Sequence, residues 1–237
     1  MLRGRLKIVI VAGGIILVAV SICASIESQK DLPILAQSDF ENGRADGWLP
    51  KDSGHWRVIK KGESMVYELT AAGEQGKIRA PTSWSLLSGP EVTSFVFTGR
   101  LQCYADAAIP TRDMCVLFHY QDPAHFYYVH FSASSDGAHN VISLVNGAGR
   151  VKINAEPEGK SVFRLTDKNW HAFKVSYDDS TGDIKAYLDD MNIPILTARD
   201  RTLGHGLCGV GSFDDTGCFD DIQLQGIKRT FQSPGRL

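Results

Sequence analysis

The sequence predicts an all-β domain, two antiparallel sheets packed as a sandwich, behind an N-terminal signal or anchor segment. Three observations carry this. Beyond residue 36 the apolar residues fall in short runs with period two. The runs are separated by clusters of Asp, Gly and Ser that suit tight turns. Helical periodicity and internal repeats are both missing from this region.

The first 25 residues read differently from the rest. Arg3, Arg5 and Lys7 precede an apolar run from Ile8 to Ala24, 17 residues long. That length lies between a signal h-region and a membrane span of ~20 residues. Cys23, Ala24 and Ser25 offer a cleavage point after Ser25, or a lipidated cysteine at Cys23, although Ile22 stands where a lipidation signal wants a small residue. Cleavage, anchoring and lipidation all remain open, and each implies export to the periplasm, cell surface or exterior. The expected organisation is 1–25 signal peptide or membrane anchor, 26–35 linker, 36–227 domain, and 228–237 a basic, Pro/Gly-containing disordered tail.

Within the domain, strands are expected at 55–60 and 64–70. SFVFTGRLQC (94–103) sets Phe95, Phe97 and Leu101 against Thr98, Arg100 and Gln102. The run at 113–121 is apolar on both faces, so alternation leaves its register open. FYYVHFSA (126–133) puts Tyr127, Val129 and Phe131 on one face and Tyr128, His130 and Ser132 on the other. Strands at 139–145 and 149–153 follow, with Asp136-Gly137 a tight-turn candidate. WHAFKVSY (170–177) sets Phe173, Val175 and Tyr177 against Trp170, Lys174 and Ser176, and gives His171 the parity of a hydrogen-bonded core residue. DIKAYLD (183–189) sets Ile184, Ala186 and Leu188 against Lys185 and Tyr187, after an Asp178–Gly182 turn. Strands at 206–213 and 218–225 flank Asp214–Gly217 and close the series.

The formal charge is −2, and −5 without residues 1–25, which carry three cations and no acid. A mildly acidic domain is a poor partner for nucleic acid or anionic lipid, so the membrane enters only through an uncleaved N-terminal segment. Four cysteines lie beyond the leader. In an oxidising compartment an even count suggests disulfides. Cys103–Cys115 is expected because both flank the turn-like segment Ala107–Arg112, and Cys208–Cys218 follows by elimination. No spacing is C-x-x-C, which argues against a zinc site.

WHAFKVSYDDSTGDIKAYLDD and the later GHGLCGVGSFDDTGCFDDIQL resemble the second half of laminin-G-like and concanavalin-A-like jelly rolls. VLFHYQDPAHFYYVHF resembles a hairpin of bacterial extracellular modules of that superfamily, and SDFENGRADGW its opening strand followed by Trp. In order, these motifs cover residues 38–224. The superfamily includes lectins, adhesion modules, carbohydrate-binding modules, glycosidases and domains described as 3-keto-disaccharide hydrolases, so the resemblance alone selects no function.

A glycosidase needs two converging carboxylates. The Glu-x-Asp-x-x-Glu string of laminarinase-like members is not present here. Of the glutamates only Glu41 and Glu68 are expected on strands, apart from one another, and Asp113 beside Arg112 reads as a turn or ion-pair residue. G-x-S-x-G is missing too, and the loop around Gly147 and Gly149 has no strand–loop–helix setting for a phosphate. Sugar binding asks instead for exposed aromatics and planar polar groups. Arg100, Tyr128, His130, Lys185 and Tyr187 supply them at outward positions, joined by His119 or Tyr120 according to register. Together they are expected to line one groove on one sheet, for a glycan or polysaccharide. Trp48, Trp56 and Trp84 are core or rim. The resemblance also implies a structural Ca²⁺ where first and last strands meet. Asp39 and Glu41, one strand period apart, and Asp220 and Asp221 would supply its oxygens.

Overall fold

The structure, a computed structural model, describes residues 32–155 and 164–230. The expected leader and most of the basic tail lie outside the described residues. No helix among the described residues is long and apolar enough to cross a membrane.

Among the described residues fifteen strands follow one another: β1 (Ile34–Ser38), β2 (Trp48–Pro50), β3 (Trp56–Lys61), β4 (Ser64–Leu69), β5 (Ser83–Leu87), β6 (Val92–Cys103), β7 (Asp113–Asp122), β8 (His125–Ser132), β9 (Val141–Asn146), β10 (Val151–Lys152), β11 (His171–Asp178), β12 (Asp183–Leu188), β13 (Leu196–Arg199), β14 (Leu207–Ser212) and β15 (Gly217–Lys228). Sheet A has the order β13-β12-β11-β6-β15-β4-β3, with β1 also on β15, and sheet B the order β10-β9-β8-β7-β14-β5-β2. Every pairing is antiparallel. This is the two-sheet sandwich that the alternation predicts.

Strand parity decides what each sheet buries. Phe95, Phe97 and Leu101 of β6, Phe173, Val175 and Tyr177 of β11, and Ile184, Ala186 and Leu188 of β12 turn inward from sheet A. Met114, Val116 and Phe118 of β7 and Tyr127, Val129 and Phe131 of β8 meet them from sheet B. Phe95 packs on Phe118 with centroids 5.6 Å apart, and Phe97 on Phe173 at 5.7 Å. Each fully buried aromatic or aliphatic side chain contributes roughly 1.5–3 kcal/mol of transfer free energy. Trp48 and Trp56 close one end of this core around Tyr67. His171 is buried as its parity requires, with Nδ1 2.9 Å from Asp189 and Nε2 3.1 Å from Asp167.

Two expectations are corrected by the topology. The segments after Cys103 and after Ser212 look like hairpin turns in sequence, but each crosses from one sheet to the other. Cys103 therefore points into the inter-sheet core from sheet A, while Cys115 lies on the outer face of sheet B. Cys208 is likewise a core residue of β14, and Cys218, on β15 of the other sheet, points its Sγ to Gln102 Oε1 at 3.7 Å. All four are free and buried thiols, so neither expected disulfide forms. The domain also reaches beyond 36–227. β1 begins at Ile34, inside the expected linker, and Lys228 of the expected tail ends β15. Arg229 then pairs with Glu91 at 2.7 Å.

Candidate functional site

The six expected ligand residues do not share a groove, because their strands belong to different sheets. Arg100, Lys185 and Tyr187 lie on the outer face of sheet A, whereas His119, Tyr128 and His130 belong to sheet B.

On sheet A, Arg100 faces Asp220 across the β6–β15 pair. Its Nη2 is 2.5 Å from Asp220 Oδ2, its Nε 3.0 Å from Asp221 Oδ2, and its guanidinium carbon 4.7 Å from the centre of the Trp170 ring. Asp220 is fully buried, so Arg100 is its counter-ion. Beside it, Lys174 Nζ sits 3.8 Å over the ring of Tyr187, a residue only 8% exposed. Lys185 is half-buried.

The four expected calcium ligands gather at the β1–β15 junction, but not on one strand face. β1 ends at Ser38, Phe40 takes φ +57°, and Glu41 lies in a turn. Glu41 Oε1 accepts from Ser64 Oγ (2.7 Å) and the Met65 N–H (3.0 Å). Asp221, at φ +51°, forms a bulge that sends its carboxylate to Arg100. A cation already occupies the aspartate pair, and it is a guanidinium.

On sheet B the outer face is apolar. Trp84, Leu86, Cys115, Leu117, Phe126, Tyr128, Val145 and Phe213 form a second buried cluster there. Tyr128 is fully buried and His130 only 3% exposed, so neither is an exposed platform. Burial raises the Tyr128 hydroxyl to about 12, against the opposing influence of the nearby Ser143 and Arg150. His119 turns between the sheets, at φ +46° in a bulge of β7. Its Nδ1 is 2.7 Å from Leu203 O and its Nε2 2.8 Å from Thr93 O.

At the border of this face, where the apolar cluster meets solvent, a pocket of about 460 Å³ opens. Trp84 of β5 and Tyr120 of β7 form its aromatic wall, with centroids 5.8 Å apart, and Phe126 packs behind both. Ile78, Ala80 and Pro81 form the facing wall, and Pro123 and Ala124 of the β7–β8 turn one side. Lys51 Nζ lies 4.5 Å over the Trp84 ring and donates to Thr82 O at 2.7 Å. Burial lowers its pKa, while Glu74 and Asp52 act in the opposite sense. Burial and the nearby Asp122 push the Tyr120 hydroxyl up to about 12, and the neighbouring Trp84 acts in the opposite sense. Lys77 adds a second ammonium group. None of the lining residues is a carboxylic acid.

The sequence marks Tyr120 as a ligand candidate, leaves Trp84 as core or rim, and gives no sign of Lys51. Trp84 sits on a strand buried on both faces, which shows no alternation, and Lys51 arrives from a loop.

No family model matches the chain, and no curated protein matches it either. Solved structures do. The carbohydrate binding module CBM66 from Bacillus subtilis aligns with TM-score 0.52 at 17% identity, over 76% of this chain and 96% of that one. The fold is the concanavalin A-like jelly roll. Winged bean acidic lectin, complexed with methyl-alpha-D-galactose, shares this jelly roll at TM-score 0.53 and 10% identity, over 84% and 100% of the two chains. A GH43 protein, BlXynB from Bacillus licheniformis, shares it at TM-score 0.57 and 9% identity; the match covers 80% of this chain and 39% of the longer protein. At such identities the likeness concerns the jelly roll alone.

Proposed function

We propose that this chain is an exported, lectin-like carbohydrate-binding module, and that the Trp84–Tyr120 pocket holds the sugar. The observation that carries the reading is a pocket on the outer side of sheet B whose aromatic wall sets half-buried Tyr120 beside Trp84, itself 8% exposed and overlaid by Lys51. A pyranose presents C–H groups that stack on the Tyr120 ring, while Lys51 and Lys77 donate to its hydroxyl or acidic oxygens. The pocket volume suits one or two sugar rings. A lining without carboxylates supports binding over paired-carboxylate hydrolysis. The structural neighbours, a carbohydrate binding module and a lectin holding a galactoside, support the same class. Export rests on the basic residues and apolar run at the N-terminus.

A glycan-array screen of the full chain, with and without calcium, tests this reading. Selective binding is expected, weakened about tenfold by Tyr120→Ala through loss of ring stacking. Lys77→Ala, at an exposed position, should weaken binding without altering the fold. A folded protein that binds no glycan would end the sugar reading and favour adhesion to protein. Calcium at Asp39, Glu41, Asp220 and Asp221 belongs to the same proposal, and there it must share two aspartates with Arg100. A chelator that lowers the melting temperature of freshly prepared protein, with calcium restoring it, supports that site; an unchanged melting temperature removes it.

A further inference from the structure

We propose that Asp113, Cys115 and His130 form a binding site for a divalent transition-metal ion, with zinc the best chemical fit. Cys115 of β7 and His130 of β8 face one another across the strand pair. Asp113 precedes Cys115 by two residues and therefore shares its face. All three side chains are buried, and one ligand atom from each lies within 4.8 Å of the other two.

Two of the three ligand–ligand edges have tetrahedral lengths, and the third is within 4.8 Å. Zinc bonded to O and N at about 2.0 Å and to S at about 2.3 Å requires an O···N edge of about 3.3 Å and an O···S edge of about 3.5 Å. Asp113 Oδ2 lies 3.3 Å from His130 Nε2 and 3.4 Å from Cys115 Sγ. His130 Nδ1 is 2.8 Å from Ala138 O, so this nitrogen donates and fixes the tautomer that leaves Nε2 a lone pair. Nε2 is buried, makes no hydrogen bond of good geometry, and faces Asp113 Oδ2 at 3.3 Å, a contact that a protonated ring turns into an ion pair and that a metal ion would replace. The carboxylate is oriented by the Ser212 hydroxyl on Oδ1 (3.1 Å) and the Phe213 N–H on Oδ2 (3.0 Å). His139, with its ring centroid 5.3 Å from that of His130, brings a second imidazole beside the cluster.

Charge and donor type select the ion. A dication held by one thiolate, one carboxylate and a neutral imidazole leaves the buried site neutral, and burial favours that state. Loading breaks the Cys115 S–H bond, forms a metal–sulfur bond and releases the proton to solvent. Calcium, which takes six to eight oxygens, is a poor match for sulfur and nitrogen. The absence of a C-x-x-C spacing is no obstacle, because the ligands come from two strands paired across a sheet.

The test is metal analysis of the untagged full chain after chelation and reloading with zinc. About one zinc per chain is expected, falling about tenfold in Cys115→Ser and in His130→Gln. Cobalt in place of zinc should give a thiolate-to-metal charge-transfer band that Cys115→Ser removes. Folded wild-type protein that takes up no zinc, or zinc uptake undiminished in folded Cys115→Ser, overturns the site. Should both variants fail to fold, X-ray absorption of the zinc-loaded wild type decides. One sulfur and at least one imidazole in the first shell uphold the site, and a shell without sulfur overturns it.

Discussion

Arg100 answers two carboxylates and one indole with a single guanidinium. Asp220 is fully buried, so removing its partner strands a charge where water cannot reach. Arg100→Ala is expected to destabilise the domain by about 3 kcal/mol in urea unfolding, at the low end for a buried pair because a third of Arg100 faces solvent. Arg100→Lys should recover only part of this, since an ammonium cannot bridge both aspartates and stack on Trp170 at once. The Arg57–Glu68 pair, with Arg57 64% exposed, should be worth under about 1 kcal/mol. His119 sets a pH dependence. Burial holds its pKa below the ordinary 6.5, and the two carbonyl acceptors do not overcome that. In the window between the folded value and 6.5 the unfolded chain binds more protons. Stability is therefore full above about pH 6.5 and falls as the pH drops through the window. Urea midpoints at about pH 7.5 and 5.5 measure this, and His119→Asn, tolerant of φ +46°, should flatten the difference.

Strands whose residues alternate in chemical character were legible in the sequence, even β8, which is buried on both faces. β6, β8, β11 and β12 lie where alternation places them, with the predicted residues inward. β2, β5 and β13 escaped prediction, being at most five residues long, and β5 is buried throughout; the opening strand was expected around Asp39 and Glu41 and lies earlier, at Ile34–Ser38. Sheet membership was not legible at all. A turn-rich segment that reverses the chain within a sheet has the composition of one that carries it to the other sheet, as after Cys103 and after Ser212. That one ambiguity undid both disulfides and the six-residue groove, whereas Tyr120 was within reach because it sits where β7 runs out towards the β7–β8 turn. The cysteine assignment makes a direct prediction. Without reductant, Cys103, Cys115, Cys208 and Cys218 should resist alkylation in the native protein and all four react after unfolding, read by intact mass. A product short of two labels on these residues would restore a disulfide.

At the scale of the whole molecule, sheet B is covered on both faces, inward by the main core and outward by the Trp84–Phe213 cluster. The proposed sugar pocket and the proposed metal site both belong to this outer side and are separate. One lies towards the β7–β8 turn, the other beside the beginning of β7 and the end of β8. The pairing of β1 with β15 sets Ile34 against Gln225 and Ser38 against Ile222. The two ends of the domain therefore leave side by side, from a ladder whose bonds run across the strands. Tension applied between the termini loads those bonds one after another rather than all together. In a single-molecule pulling experiment β1 should peel from β15 at low force before the rest yields, as a zipper opens. Pulling from β3 and β13, at opposite edges of sheet A, should need more.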